Sequence, residues 1–134
     1  MGKSGNHKQL EPTKSELEII QILWKHGPST VRFVNEKLNE EKRLVQYSST
    51  LKLMQIMTEK GLLKRDESAM KHIYSPAIEE DKTKEFLLSR FVDSIFNGST
   101  GSIVMQLLGN HKTSPGELKA IKELVDKLEK ENES

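Results

Sequence analysis

The 134-residue chain contains no cysteine. That excludes disulfides, thiolate metal sites and cysteine nucleophiles, and it fits a reducing compartment. Hydrophobic residues make up only 34%, with one Trp, two Tyr and four Phe, so any core is modest. No apolar run approaches the roughly 18 residues of a membrane-spanning helix, and no membrane insertion is expected. Residues Met1 to Gln9 hold no apolar stretch, so no secretory signal is expected and the cytoplasm is the expected location. Catalytic signatures are missing too: there is no Gly-rich phosphate loop, no Ser elbow and no acidic pair in an apolar setting. His7, His26, His72 and His111 lie far apart without ligand spacing and read as surface residues. No metal, no cofactor and no enzymatic activity are expected.

Charge is plentiful and almost balanced, at 31% of residues and a net of +1. This argues against a diffuse polycation, but the balance is uneven along the chain. Between residues 42 and 72, Lys42, Arg43, Lys52, Lys60, Lys64, Arg65 and Lys71 face only Glu59, Asp66 and Glu67, a local net of +4. A charge run is ordinarily just a solvated face. What this window folds into decides whether it does more.

Local signals organise the first half. Residues 1–11 are polar and are expected to form a flexible N-terminus. Thr13-Lys14-Ser15-Glu16 is a capping box opening a helix whose apolar positions Leu17, Ile20, Leu23 and Trp24 recur at helical spacing. Trp24 is expected in the core. Gly27-Pro28 ends this helix, and Ser29 is placed to cap a second one carrying Val31, Val34 and Leu38. Tyr47-Ser48-Ser49 opens a third helix that ends at Gly61. Leu62 to Arg65 and Lys71 to Tyr74 then flank a polar centre, Asp66 to Met70, as two short strands with a flexible tip, closed by Pro76. Three helices followed by a hairpin is the order of a winged helix-turn-helix.

The second half reads as all helix. A helix over 79–96 is broken at Asn97-Gly98, and Ser99 caps a short one over 99–109. Ser114-Pro115-Gly116-Glu117 is a second capping box with Pro at the first helical position. Leu118, Ile121, Val125 and Leu128 follow in a short heptad seam. Residues 81–134 hold 18 apolar residues, spread in stripes over these helices, and a segment this small struggles to bury a core alone. Two chains burying each other's stripes is the economical solution, with Phe86, Phe91, Ile95, Leu107, Leu118, Ile121, Val125 and Leu128 at the contact. The alternative is packing back onto the first half as a monomer. The expected fold class is therefore mostly α with a small β-hairpin: a winged helix-turn-helix domain over 12–78 and a C-terminal helical dimerisation domain over 79–134.

On a helical wheel, Thr50, Met54 and Met57 fall on one side of the third helix, with Leu53 at its edge, while Ser48, Lys52, Gln55 and Glu59 fall on the other. The second side projects short polar donors and acceptors, and a helix fits the DNA major groove. Its N-terminus offers free N–H groups to phosphate. The candidate DNA-binding residues are Tyr47, Ser48, Ser49, Lys52 and Gln55 on this helix, with Arg65 and Lys71, joined by His72, on the hairpin. An ordinary edge hairpin, its Lys and Arg discouraging aggregation, is the competing reading of the latter.

Several stretches together resemble the BlaI/MecI/CopY-type (penicillinase) repressor family. They are Pro12 to Trp24, Gly27 to Arg32, Tyr47 to Met57, Glu59 to Arg65, and Tyr74-Ser75-Pro76. The resemblance runs from about residue 12 to 128. It implies a dimeric winged-helix transcriptional repressor bound to a palindromic double-stranded DNA operator, commonly of antibiotic resistance genes. It also implies a membrane-bound sensor protease that cleaves the repressor to induce expression. Copper-responsive members end in a cysteine cluster, which this chain lacks. In penicillinase and methicillin repressors the cut falls at an Asn-Phe bond; the aligned pair here is Gln106-Leu107, within helix 99–109, whose other reading is plain packed core. A rival of a different class, a winged-helix protein-interaction module without DNA binding, would carry an exposed apolar patch in place of the basic window.

Overall fold

The computed structural model describes residues 11–68 and 70–133. The expected flexible N-terminus lies, apart from Glu11, outside the described residues, as does Ala69 at the hairpin tip. The elements run α1 (Lys14–His26), α2 (Val31–Glu41), α3 (Tyr47–Lys60), β1 (Leu63–Asp66), β2 (Ile73–Pro76), α4 (Glu80–Phe96), α5 (Thr100–Asn110) and α6 (Pro115–Glu133). This is the expected mostly-α class with one small hairpin. The chain divides into two compact units, Met1–Leu88 and Ser89–Ser134, the division falling inside α4.

In the first unit, the α1 capping box forms in both directions. Thr13 N–H donates to Glu16 Oε1 at 2.9 Å and Glu16 N–H donates to Thr13 Oγ1 at 3.2 Å. Ile19, Ile20, Ile22 and Leu23 of α1, Val31, Val34 and Leu38 of α2, and Met54 and Met57 of α3 close one core with Leu62, Leu63 and Tyr74. Burying an Ile or Leu side chain fully contributes about 1.5–3 kcal/mol, so this cluster is the main source of stability. Trp24 is only partly buried; it packs on the cluster and donates its indole N–H to Ile78 O at 3.2 Å. Gly61 ends α3 in the left-handed region, at φ 89°, which lets Leu62 N–H return to Met57 O at 2.9 Å.

Two expected details differ. Thr30, not Ser29, caps α2, accepting from Phe33 N–H at 3.1 Å. Ser29 is engaged elsewhere: its N–H and C=O pair with the C=O and N–H of Tyr74 at 2.9 and 2.8 Å, and its hydroxyl donates to Gly27 O. It forms a one-residue third strand beside β2. The second difference is register. β1 and β2 pair antiparallel from Leu63↔Pro76 to Asp66↔Ile73, so the second strand begins two residues later than expected. Lys71 and His72 precede β2, and Pro76 is its last residue instead of lying beyond it. Proline is tolerated at a strand end because it lacks only a donor.

In the second unit, Asn97 at φ 50° and Gly98 at φ 81° both turn left-handed and end α4. Asn and Gly are the residues that enter that region at least cost. Ser99 caps α5 by accepting from Ser102 N–H at 3.1 Å, and the expected Ser114–Glu117 box opens α6, with Glu117 N–H donating to Ser114 Oγ at 3.1 Å. α5 runs one residue past Gly109, through Asn110. Among the described residues of this unit only Ile103 is buried, although the unit is rich in large apolar side chains.

Candidate nucleic-acid interface

The buried side of α3, Thr50, Met54 and Met57, leaves Ser48, Lys52, Gln55 and Glu59 exposed on the opposite side. The hairpin and the start of α2 flank the first turns of α3. Between them lies a groove of about 340 Å³. Val31, Leu51 and Tyr74 contribute its apolar lining, and Arg32, Tyr47, Lys71 and His72 its polar and charged lining. The Arg32 guanidinium sits 5.3 Å from the centre of the Tyr47 ring, a cation–π contact that fixes its position without neutralising it.

The basic window resolves into two groups. Four of its cations are already engaged. Lys42 donates to Gln21 Oε1 at 3.1 Å, and Arg43 pairs with Glu18 Oε1 at 3.1 Å. Lys60 pairs with the buried Glu16 at 2.7 Å, and Arg65 pairs with Glu67 on the hairpin. The Tyr74 hydroxyl and then the Glu67 carboxylate push the Arg65 pKa up still further. Burial alone would raise the Glu16 carboxyl, but the Lys60 ammonium and the Thr13 N–H outweigh it and hold it below its ordinary value. Lys52, Lys64 and Lys71 make no ion pair among the described residues. Arg32 likewise makes no ion pair among the described residues.

The candidate residues from the sequence are thus distributed unevenly. Tyr47 and Lys71 meet in the groove together with His72. Ser48, Lys52 and Gln55 stand exposed along α3. Ser49 borders a different hollow, of about 270 Å³, shared with Ser15, Arg43 and Val45. Arg65 does not line the groove and is held by Glu67. Arg32 lines the same groove and is not among the candidates from the sequence, although it is the second residue of a capped helix that precedes α3. Of the candidates on the helical half, Phe91, Ile95, Leu107, Leu118, Val125 and Leu128 are exposed, between 45% and 62%, while Phe86 and Ile121 are partly buried. Gln106 is exposed beside Leu107 on α5. No described helix is long and apolar enough to cross a membrane.

A family model described as penicillinase repressor matches residues 12–127. The chain is 25% identical over 114 residues to a penicillinase repressor of Bacillus licheniformis, covering 84% of this chain and 87% of that protein. It is also 25% identical over 126 residues to a penicillinase repressor of Staphylococcus aureus, covering 92% of this chain and 98% of that one.

Proposed function

The chain belongs to the penicillinase repressor family, a family of DNA-binding transcriptional repressors and not of enzymes, and from that premise we propose that it acts as a cytoplasmic homodimer on a palindromic operator of antibiotic resistance genes. The observation that carries the reading is the set of cations that make no ion pair among the described residues, Arg32 and Lys71 in the groove beside Tyr47 and Lys52 on the exposed polar face of α3. Ser48, Lys52 and Gln55 meet base edges in the major groove, where each good bidentate contact is worth about 1–3 kcal/mol of discrimination. Tyr47 and Ser49 help seat the start of α3, and Arg32, Lys71 and His72 follow the phosphate backbone. Arg65 contributes through the hairpin only if it exchanges Glu67 for phosphate.

Residues 12–78 are the reading head in this proposal and 79–134 the dimerisation part. The support for the second copy is that Ile103 alone is buried among the second unit's described residues, beside the exposed Phe91, Ile95, Leu107, Leu118, Val125 and Leu128. Apolar surface on this scale marks an interaction site. Two heads on one palindrome lie about one helical turn apart, roughly 34–36 Å. Cleavage at Gln106–Leu107 by a membrane-bound sensor protease would remove the link between heads and leave the reading residues intact.

Titration of the full chain against the duplex upstream of its own gene and against a scrambled duplex tests the first claim. Preference for the upstream duplex is expected, and equal affinity for both would overturn specific repression. Sedimentation at about 10 µM, well above typical operator affinities, tests the dimer. Mass spectrometry of the protein from induced cells tests the cut: intact chain throughout induction rules it out.

A further inference from the structure

Residues 42–46 join α2 to α3, whose Thr50, Met54 and Met57 are buried in the same unit. Lys42 and Arg43 tie the first end of this linker to α1, through Gln21 and Glu18. Apolar burial holds the rest only in part: Val45 packs against the core, while Leu44 at the centre is 86% exposed. Gln46, the N-cap of α3, makes no side-chain cap hydrogen bond. A compact polar network supplies the remaining restraint. Asn39 grips both sides of Val45, accepting from its N–H at 3.0 Å and donating to its C=O at 3.1 Å. Asn35 donates to that same C=O at 3.1 Å and to the Thr50 hydroxyl at 2.8 Å. Asn39 also donates to Asn35 O at 2.7 Å, and Thr50 donates in turn to Gln46 O at 3.4 Å. The two asparagines stand one turn apart on one face of α2, so a single linker residue, Val45, is clamped to α2 through both of its peptide groups and tied to α3 through Thr50.

We propose that Asn35, Asn39 and Thr50 are positioning residues for operator recognition: they set the orientation of α3 and so determine DNA sequence specificity without touching DNA. Thr50 is 1% exposed and both asparagines are partly buried. The network is local and directional, so it adds angular restraint to the packing that Val45 supplies. The proposal rests on the reading that α3 contacts base edges. Phosphate contacts tolerate small rotations of a helix, whereas base contacts do not, so loss of the clamp falls on specific binding alone.

The test uses the full chain and two duplexes of equal length, one enriched from a random-sequence pool by the unaltered protein and one scrambled. Thr50→Val, which keeps shape and removes the hydroxyl, and Asn39→Ala are expected to lower affinity for the enriched duplex about five- to tenfold, with scrambled-duplex affinity unchanged. Thr50→Ser, which restores the hydroxyl, is expected to recover the loss. If Asn39→Ala fails to fold, by circular dichroism, the Thr50 pair still decides. Folded Thr50→Val protein with both affinities unchanged, or both reduced equally, overturns the clamp. Lys52→Ala separates the two layers of argument. If it weakens enriched-duplex binding while Thr50→Val does not, the clamp alone fails; if neither does, α3 is not the reading element and both fail.

Discussion

Raising salt around the repressor–DNA complex measures how many cations meet phosphate, and the structure sets that number. With Lys52 assigned to base edges, three cations per head remain for phosphate: Arg32, Lys64 and Lys71, none of which makes an ion pair among the described residues, whereas Lys42, Arg43, Lys60 and Arg65 are bonded within the protein. Two heads on a palindrome then present six. At about 0.9 counterions released per neutralised phosphate, the slope of log affinity against log salt is about −5. A fourfold rise, from 50 to 200 mM, costs roughly 10³ in affinity on that slope. Lys71→Ala removes one contact per head and is expected to flatten the slope by about 2 in the dimer. Arg43→Gln removes one formal charge as well, but from a guanidinium held 3.1 Å from Glu18 Oε1. Its slope is expected to stay within error of the unaltered chain. Fluorescence anisotropy at five salt concentrations measures all three slopes. Equal flattening by Lys71→Ala and Arg43→Gln would refute the division into engaged and available cations. A slope near zero would refute phosphate neutralisation altogether.

Glu16→Gln should destabilise the first unit by about 1–2 kcal/mol, because it weakens a buried cap and ion pair whose Lys60 end is screened by water. Folding lowers the Glu16 pKa, so its contribution is fully present above about pH 4.5 and is lost as pH falls through the lower folded value. Thermal unfolding between pH 3 and pH 7 should therefore show a smaller acid loss for Glu16→Gln than for the unaltered chain, and parallel curves would count against it. Replacing Leu118 and Leu128 together by Asp should turn the proposed dimer into a monomer by sedimentation and weaken operator binding by about 10²–10⁴, the loss of avidity. Gly61→Ala should cost about 1 kcal/mol in urea unfolding, since an L side chain is disfavoured at φ 89°.

Local chemistry was legible in the sequence, and tertiary pairing was not. The Thr13–Glu16 and Ser114–Glu117 boxes, the Gly61 stop and the buried Thr50–Met54–Met57 stripe all follow from spacings of three or four residues. Ser29 misled as a cap because its hydrogen bonds go to Tyr74, which no local rule reveals. The basic window likewise counted Lys60 and Lys64 alike. Only the fold places Glu16, 44 residues away in sequence, against the first and leaves the second without an ion pair among the described residues. Arg32 was overlooked because it lies outside that window, and folding alone sets it beside Tyr47.

The link between Trp24 and Ile78 has a consequence for synthesis. The indole N–H of α1 finds its acceptor 54 residues downstream, past the whole hairpin. Tyr74, which bridges Ser29 and completes the core, is also made late. At 5–20 residues per second, a ribosome needs roughly 3–11 s to travel from the first of these partners to the last. During that interval α1 to α3 can assemble, but the core lacks Tyr74 and its edge strand stays unpaired. α3 is therefore complete on the ribosome before the unit that holds it is closed. A truncation before Tyr74 would release a chain with α3 formed beside an open apolar flank, the form most exposed to proteases and to aggregation.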